Sequence, residues 1–215
     1  MRAVTELEVS TASAKPSDPE PRVEDVPDLT RVVVIGTSGS GKTTFARALA
    51  SMLGVQHIEL DSIHWLANWT PRDHDELRAL VKEAVSDEHW VLDGNYRGLR
   101  DLIWPRATAI IWLNYPFSLV FWRALRRTLK RIVQRQELFS GNRESFRQTF
   151  LSRNSPLWWV ITTYPRRRRD YRALSDKGVF PHLSWIEFQS RDQAEAFLAW
   201  LGGTARQDLS QVMPG

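Results

Sequence analysis

Cysteine is absent from the 215 residues, which excludes disulfides, thiolate metal sites and cysteine nucleophiles. No apolar run approaches the roughly 20 residues of a membrane-spanning helix. The N-terminus also lacks an apolar signal core, so a cytoplasmic protein with no membrane partner is expected. Acidic residues are scarce in one stretch. Between 123 and 172 only Glu137, Glu144 and Asp170 face fourteen lysines and arginines, a local charge of +11. The whole chain carries only +4, which leaves −7 for the remainder. Something anionic belongs near that basic stretch.

What the chain does contain is organised around Gly36-Thr37-Ser38-Gly39-Ser40-Gly41-Lys42-Thr43. It fits the phosphate-binding loop pattern, a glycine, four free positions, then Gly-Lys-Ser/Thr. Arg31 to Ile35 precedes it as a β-branched run suited to a buried parallel strand. Phe45, Ala48, Leu49 and Met52 follow at helical spacing, and Gly54 stands where the helix should stop. Glycines let backbone N–H groups curl around an anion, and the helix N-terminus adds positive potential. Gly36, Ser38, Gly39, Ser40, Gly41, Lys42, Thr43 and Thr44 are therefore expected to hold a nucleoside triphosphate, ATP, with Mg²⁺. Lys42 would reach the β- and γ-phosphates, and the Thr43 hydroxyl would ligate the metal.

Residues 1–28 carry four prolines among Ser, Asp and Glu and read as a disordered acidic tail. Residues 29–202 read as the folded domain. Gly202-Gly203 should end the last helix, with 203–215 a second tail. Val55 to Leu60 reads as a second strand ending at Asp61, beyond which ligands bind in open α/β sheets. The stretch from Ser62 to Thr70 then places His64, Trp65, Asn68 and Trp69 in a loop, and Thr70-Pro71 looks like the start of a helix. Trp90-Val91-Leu92 is a third strand running into Asp93-Gly94-Asn95-Tyr96-Arg97, and Ala107 to Leu113 a fourth. Pro116 opens a long helix on which Arg123, Arg127 and Arg131 share a face. A further helix spans about 155–174, then a last strand from Leu183 to Phe188 and a closing helix. Alternating helices and strands argue for a parallel sheet covered on both faces.

With these residues in place the chain resembles the adenylate kinase-like P-loop kinases, in particular the bacterial branch labelled topology-modulation-protein-like. The resemblance covers about 30–201. It rests on the phosphate loop, on Leu60-Asp61 with His64-Trp65, and on Trp90-Val91-Leu92-Asp93-Gly94-Asn95-Tyr96. It implies a P-loop NTPase fold, three-layer α/β/α, with a basic helical lid at about 123–155. Arg123, Arg127 and Arg131 would grip the transferring phosphoryl group. Nucleoside monophosphate kinases carry Asp-Gly-Phe-Pro-Arg after the third strand; here Arg97 is retained and Phe-Pro replaced. Asp61 is similar in position to the acceptor-hydroxyl aspartate of shikimate kinase-like enzymes.

The expected function is transfer of the ATP γ-phosphoryl group to a nucleotide or similar small acceptor. Lys42, Asp61, Arg123, Arg127 and Arg131 would be catalytic. Asp61, Trp65, Asp93, Gly94 and Arg97 would bind the acceptor, and Thr43 and Asp93 the metal. The alternative is a nucleic-acid-associated or regulatory P-loop ATPase, with Arg166–Arg169 on backbone phosphates. A solvated helix face accounts for those four arginines more simply than a binding site does.

Overall fold

A computed structural model describes residues 27–134, 139–141 and 156–212. The acidic tail to residue 26 and most of the expected lid stretch beyond residue 134 lie outside the described residues. Five strands, β1 (Arg31–Gly36), β2 (Gln56–Glu59), β3 (Trp90–Asp93), β4 (Ala109–Leu113) and β5 (Ser184–Phe188), form one sheet in the order β2-β3-β1-β4-β5. Every pairing is parallel. The chain leaves β1 towards one edge and leaves β3 towards the other, so the two central strands send their connections opposite ways. Such a switch point leaves a crevice at the carboxyl ends of the strands, where ligands of open α/β sheets bind.

Period-two alternation assigns each strand residue to one of two cores. Val32, Val34, Ile111 and Leu113 face α1 (Lys42–Leu53), α5 (Phe117–Val133) and the closing helix α7 (Arg191–Val212). Val33, Ile35, Ile110 and Trp112 face α3 (His74–Ala84) and the short α4 (Arg100–Ile103). Both faces are covered, which is why β1 and β4 read as unbroken apolar runs. The remaining long helix, α6 (Pro156–Asp176), belongs to both sides. Its Val160 and Tyr164 are buried in the first core, and its Tyr171 in the second. Between them the helix passes from one layer to the other.

Local chemistry accounts for the element ends. Gly54 caps α1 in the left-handed region, φ 66°, donating its N–H to the Ala50 carbonyl, as the Gly54 stop signal requires. Three boundaries differ from expectation. Asp73, whose carboxylate accepts from the N–H groups of Asp75 and Glu76, caps α3, so the side-chain cap prevails over Thr70-Pro71 as the start. β2 ends at Glu59, and Asp61 sits in the first turn of α2 (Leu60–His64). α7 runs through Gly202-Gly203 to Val212, because Phe197, Leu198 and Leu201 already pack it on the core and tertiary burial outweighs glycine propensity.

Candidate functional site

The loop from Gly36 to Gly41 turns between β1 and α1 with positive φ at Gly36, Gly39 and Gly41. Gly39 is required by its surroundings. A Cβ there would lie 2.7 Å from the Val120 carbonyl oxygen and 3.0 Å from the Ala124 Cβ, so α5 rests directly on the loop. A Cβ on Gly41 would meet the Arg123 guanidinium at 3.1 Å. Arg123 donates from Nη1 to the Ser40 carbonyl at 3.4 Å, and Arg127 from Nη2 to Ser38 Oγ at 3.2 Å. Two of the three arginines expected on one face of α5 thus stand against the phosphate loop. The side chain of Arg131 lies outside the described residues. Ser40 Oγ is buried with no hydrogen-bond partner among the described residues. A hydroxyl left in that state is costly, and an oxyanion seated in the loop would satisfy it. Thr44 is exposed in the first turn of α1.

Carboxylates gather on the other side of the loop. The β2–β3 register pairs Glu59 with Asp93 at the ends of their strands. Thr43 Oγ1 lies 3.3 Å from Asp93 Oδ1 and 3.5 Å from Glu59 Oε1. Lys42 donates from Nζ to the Thr37 carbonyl at 3.2 Å. Burial pushes the Lys42 ammonium below its ordinary pKa, and the charges of Asp61 and Asp93 oppose that shift. Glu59 is shifted up, first by burial and then by the charges of Asp93 and Asp61. Both directions fit an electrostatic field shared by one site. Glu59 was not among the expected site residues. With the strand read through Leu60, its side chain falls on an inner position; the true strand end brings it beside Asp93.

A hard divalent cation fits this corner. Thr43, Asp93 and Glu59 offer only oxygen, as Mg²⁺ prefers. Among the described residues no group of three or more His, Asp or Glu side chains could hold a metal by itself. Such a cation would therefore take further oxygens from water or from bound phosphates, the usual arrangement for Mg²⁺.

Asp61 is exposed at the crevice and accepts a hydrogen bond from the Tyr96 hydroxyl at 2.6 Å. Burial and the Asp61 charge together push the Tyr96 hydroxyl far above its ordinary range, so it stays a donor. Gly94 makes this approach possible, since a Cβ at its φ of 123° would lie 2.9 Å from the Leu60 Cβ. The His64 ring packs on Trp65 and Tyr96 at 4.5 and 4.6 Å, and Trp65 on Trp69 at 5.8 Å. These rings wall the crevice beside Asp61. Ser140 Oγ donates to the Trp65 carbonyl at 2.9 Å across the top.

Arg97 does not join the loop. It is exposed and stands 3.8 Å from Asp170 on α6. A residue expected only in the nucleic-acid reading, Arg167, is felt electrostatically at the site. The positive charge of Arg167 lowers the proton affinity of Lys42, Tyr96 and Arg100 alike. It lies midway between Tyr164 and Tyr171, where α6 crosses from one core to the other. Arg166, Arg168 and Arg169 are exposed, as a solvated helix face requires. Two tyrosines seven residues apart, with Arg167 at helical spacing from both, were the available signal.

Comparison with known proteins sets this geometry in context. Residues 32–92 match the family described as ATPase family associated with various cellular activities (AAA). An uncharacterized protein, YqaC, of Bacillus subtilis strain 168 is 28% identical over 120 residues, 55% of this chain and 67% of that protein. A cytidylate kinase of Thermosipho africanus is 23% identical over 158 residues, covering 69% of this chain and 70% of its own. Among solved structures, a shikimate kinase from Acinetobacter baumannii, in complex with shikimate, superposes with a TM-score of 0.49 at 17% identity. It spans 82% of this chain and 94% of its own. Among the described residues no helix is long and apolar enough to cross a membrane. The glycine loop after β1, the parallel sheet in the order β2-β3-β1-β4-β5 and the helices on both of its faces give this chain the P-loop NTPase fold.

Proposed function

We propose that this chain is an ATP-dependent kinase that moves the γ-phosphoryl group to a small acceptor in the crevice between Asp61 and the phosphate loop. The observation that carries the reading is the meeting of three kinds of group at the carboxyl ends of the strands. They are the loop with Lys42 and Thr43, the carboxylates Glu59, Asp61 and Asp93, and arginines from two different helices. The likeness to a cytidylate kinase supports it.

Phosphoryl transfer needs little covalent chemistry from protein; it needs positioning and neutralisation of spreading charge. The loop N–H groups and the Ser40 hydroxyl would seat the phosphates. Lys42 would bridge towards the outer phosphates, helped by the carboxylates that keep it charged against burial. Arg123 and Arg127 hold the loop in shape through Ser40 and Ser38, and either could turn to a phosphate oxygen. Arg167, on α6, adds positive charge that is felt at Lys42. Thr43 and Asp93, with Glu59 behind them, would hold Mg²⁺, which when bound offsets phosphate charge. Asp61 would orient the acceptor hydroxyl or take its proton, with Tyr96 fixing the carboxylate.

For the acceptor itself, we favour a nucleotide or other phosphorylated compound bound through Arg97 and flanked by Trp65 and Gly94. A planar guanidinium suits phosphate oxygens, and Arg97 is exposed, with a 3.8 Å ion pair to Asp170 to give up. The test is a screen of ADP release against nucleoside monophosphates, nucleosides and small polyols. Acceptor-stimulated release identifies the kinase and its acceptor. Stimulation by DNA or RNA, with no response to any small acceptor, would replace the reading with a nucleic-acid-associated ATPase.

A further inference from the structure

His57 lies on β2 two residues before Glu59, its ring over the third strand. Its Nε2 stands 2.9 Å from Asp93 Oδ2, with His57 and Asp93 side chains 15% and 4% exposed. An ionised carboxylate only accepts hydrogen bonds, so Nε2 carries the proton and donates. The other oxygen of the same carboxylate, Oδ1, is the one 3.3 Å from the Thr43 hydroxyl. The two oxygens of Asp93 therefore have separate duties: one is tied to a ring on the neighbouring strand, the other faces the loop.

We infer that His57 is a positioning residue for the cation site, acting through Asp93 on the geometry of Thr43. This rests on the reading of Thr43 and Asp93 as Mg²⁺ ligands proposed above. A carboxylate at a strand end turns about two side-chain torsions, and a magnesium ion tolerates little departure from octahedral geometry. Held by Nε2, Asp93 keeps Oδ1 beside Thr43, so the carboxylate needs no reordering when a nucleotide brings the cation in. His57 is not itself among the cation ligands of that reading; it acts through Asp93, whose Oδ2 it holds. Outer-shell partners of metal-binding carboxylates characteristically matter at the level of ~10–100-fold in metal affinity.

The experiment measures ADP affinity by calorimetry, in Mg²⁺ and in EDTA, for wild type, His57→Ala and His57→Gln. The glutamine amide can place a donor near the position of Nε2. Wild type should bind ADP more tightly in Mg²⁺. His57→Ala should lose about tenfold of that gain with its affinity in EDTA unchanged, and His57→Gln should recover most of it. A purely structural histidine would lower affinity equally in both buffers, and that result overturns the inference. So does an alanine variant with the full Mg²⁺ gain. If wild type itself shows no gain, the cation reading of Thr43 and Asp93 falls, which is a different and separately visible outcome. Should His57→Ala fail to fold, His57→Asn, polar but too short to reach Oδ2, takes its place with the same two outcomes.

Discussion

Three glycines in left-handed or related conformations provide an internally controlled test of how α5 is held on the phosphate loop. Replacing Gly54 by alanine places a Cβ with nothing within 4 Å, at φ 66°. Only the backbone penalty applies, about 1 kcal/mol. At Gly41 the new methyl meets the far end of the Arg123 side chain at 3.1 Å. A guanidinium can swing away, so the added cost is the loss of one hydrogen bond to the Ser40 carbonyl, about 1 kcal/mol. Gly39 is different in kind. The obstructing atoms are the Val120 carbonyl oxygen at 2.7 Å and the Ala124 Cβ at 3.0 Å, both fixed to the body of α5. Helix or loop must shift, and overpacking of this sort costs roughly 1–3 kcal/mol beyond the backbone term. Gly39→Ala should therefore destabilise by about 2–4 kcal/mol, against about 2 for Gly41→Ala and about 1 for Gly54→Ala. Urea titration followed by circular dichroism reads all three. Because Gly39→Ala also lifts Arg123 and Arg127 from the loop, its ATP turnover should fall further than that of the other two. Equal midpoints for Gly39→Ala and Gly54→Ala would refute the close seating of α5.

Lys42→Ala should lower phosphoryl transfer by orders of magnitude with the fold retained, read by ATP turnover beside a thermal melt; near-wild-type turnover would remove Lys42 from the reaction. Arg167→Ala should reduce kcat more than it raises KM for ATP, whereas Arg166→Ala, on the exposed face, should change neither. Arg97→Ala should raise acceptor KM by one to two orders of magnitude, the loss of about 1.5–3 kcal/mol of charged hydrogen bonding, with the KM for ATP little changed. If it has no effect while Asp61→Asn abolishes transfer, the acceptor is a neutral alcohol. Glu59 is held above its ordinary value of 4.5, chiefly by burial, so the folded protein binds its proton more tightly than the unfolded chain. Its stabilising share is complete below that value and is lost as pH rises through the raised one. Without ligand, Glu59→Gln should consequently melt above wild type at neutral pH and lose this advantage in acid.

The phosphate loop, its flanking strand and helix and the covered parallel sheet were readable because each rests on local rules: glycine conformation, β-branched runs, helical spacing. Asp93 was readable for the same reason, standing at the end of a short apolar strand. Glu59 was hidden by one residue of strand length. Leu60 continues the alternation of β2, yet its side chain is the wall against which Gly94 closes, and the chain turns into α2 instead. Arg167 was hidden by its neighbours, since four consecutive arginines on a helix look alike until the buried positions of Tyr164 and Tyr171 orient them. Gly202-Gly203 signalled a stop that the apolar face of α7 overrides. Arg97 stood out by its place after a strand-end carboxylate and by resemblance, but its ion pair with Asp170 depends on where α6 crosses, which no local pattern encodes.

That crossing bears on how the molecule comes apart. A sheet with separate layers on its two faces could shed one layer while keeping the other. Here a single helix has Tyr164 bonded to the Tyr115 carbonyl at 2.9 Å in one core and Tyr171 packed edge-on to Trp112 at 5.7 Å in the other. Neither layer can open without dragging α6 out of its partner, so their free energies of opening are joined. Pro165, inside the same helix, removes one backbone hydrogen bond beside the crossing and makes that turn the softest link between two firm anchors. Amide exchange should therefore report one cooperative unit for both faces of the sheet, with faster exchange confined to the turn that carries Pro165 and Arg167.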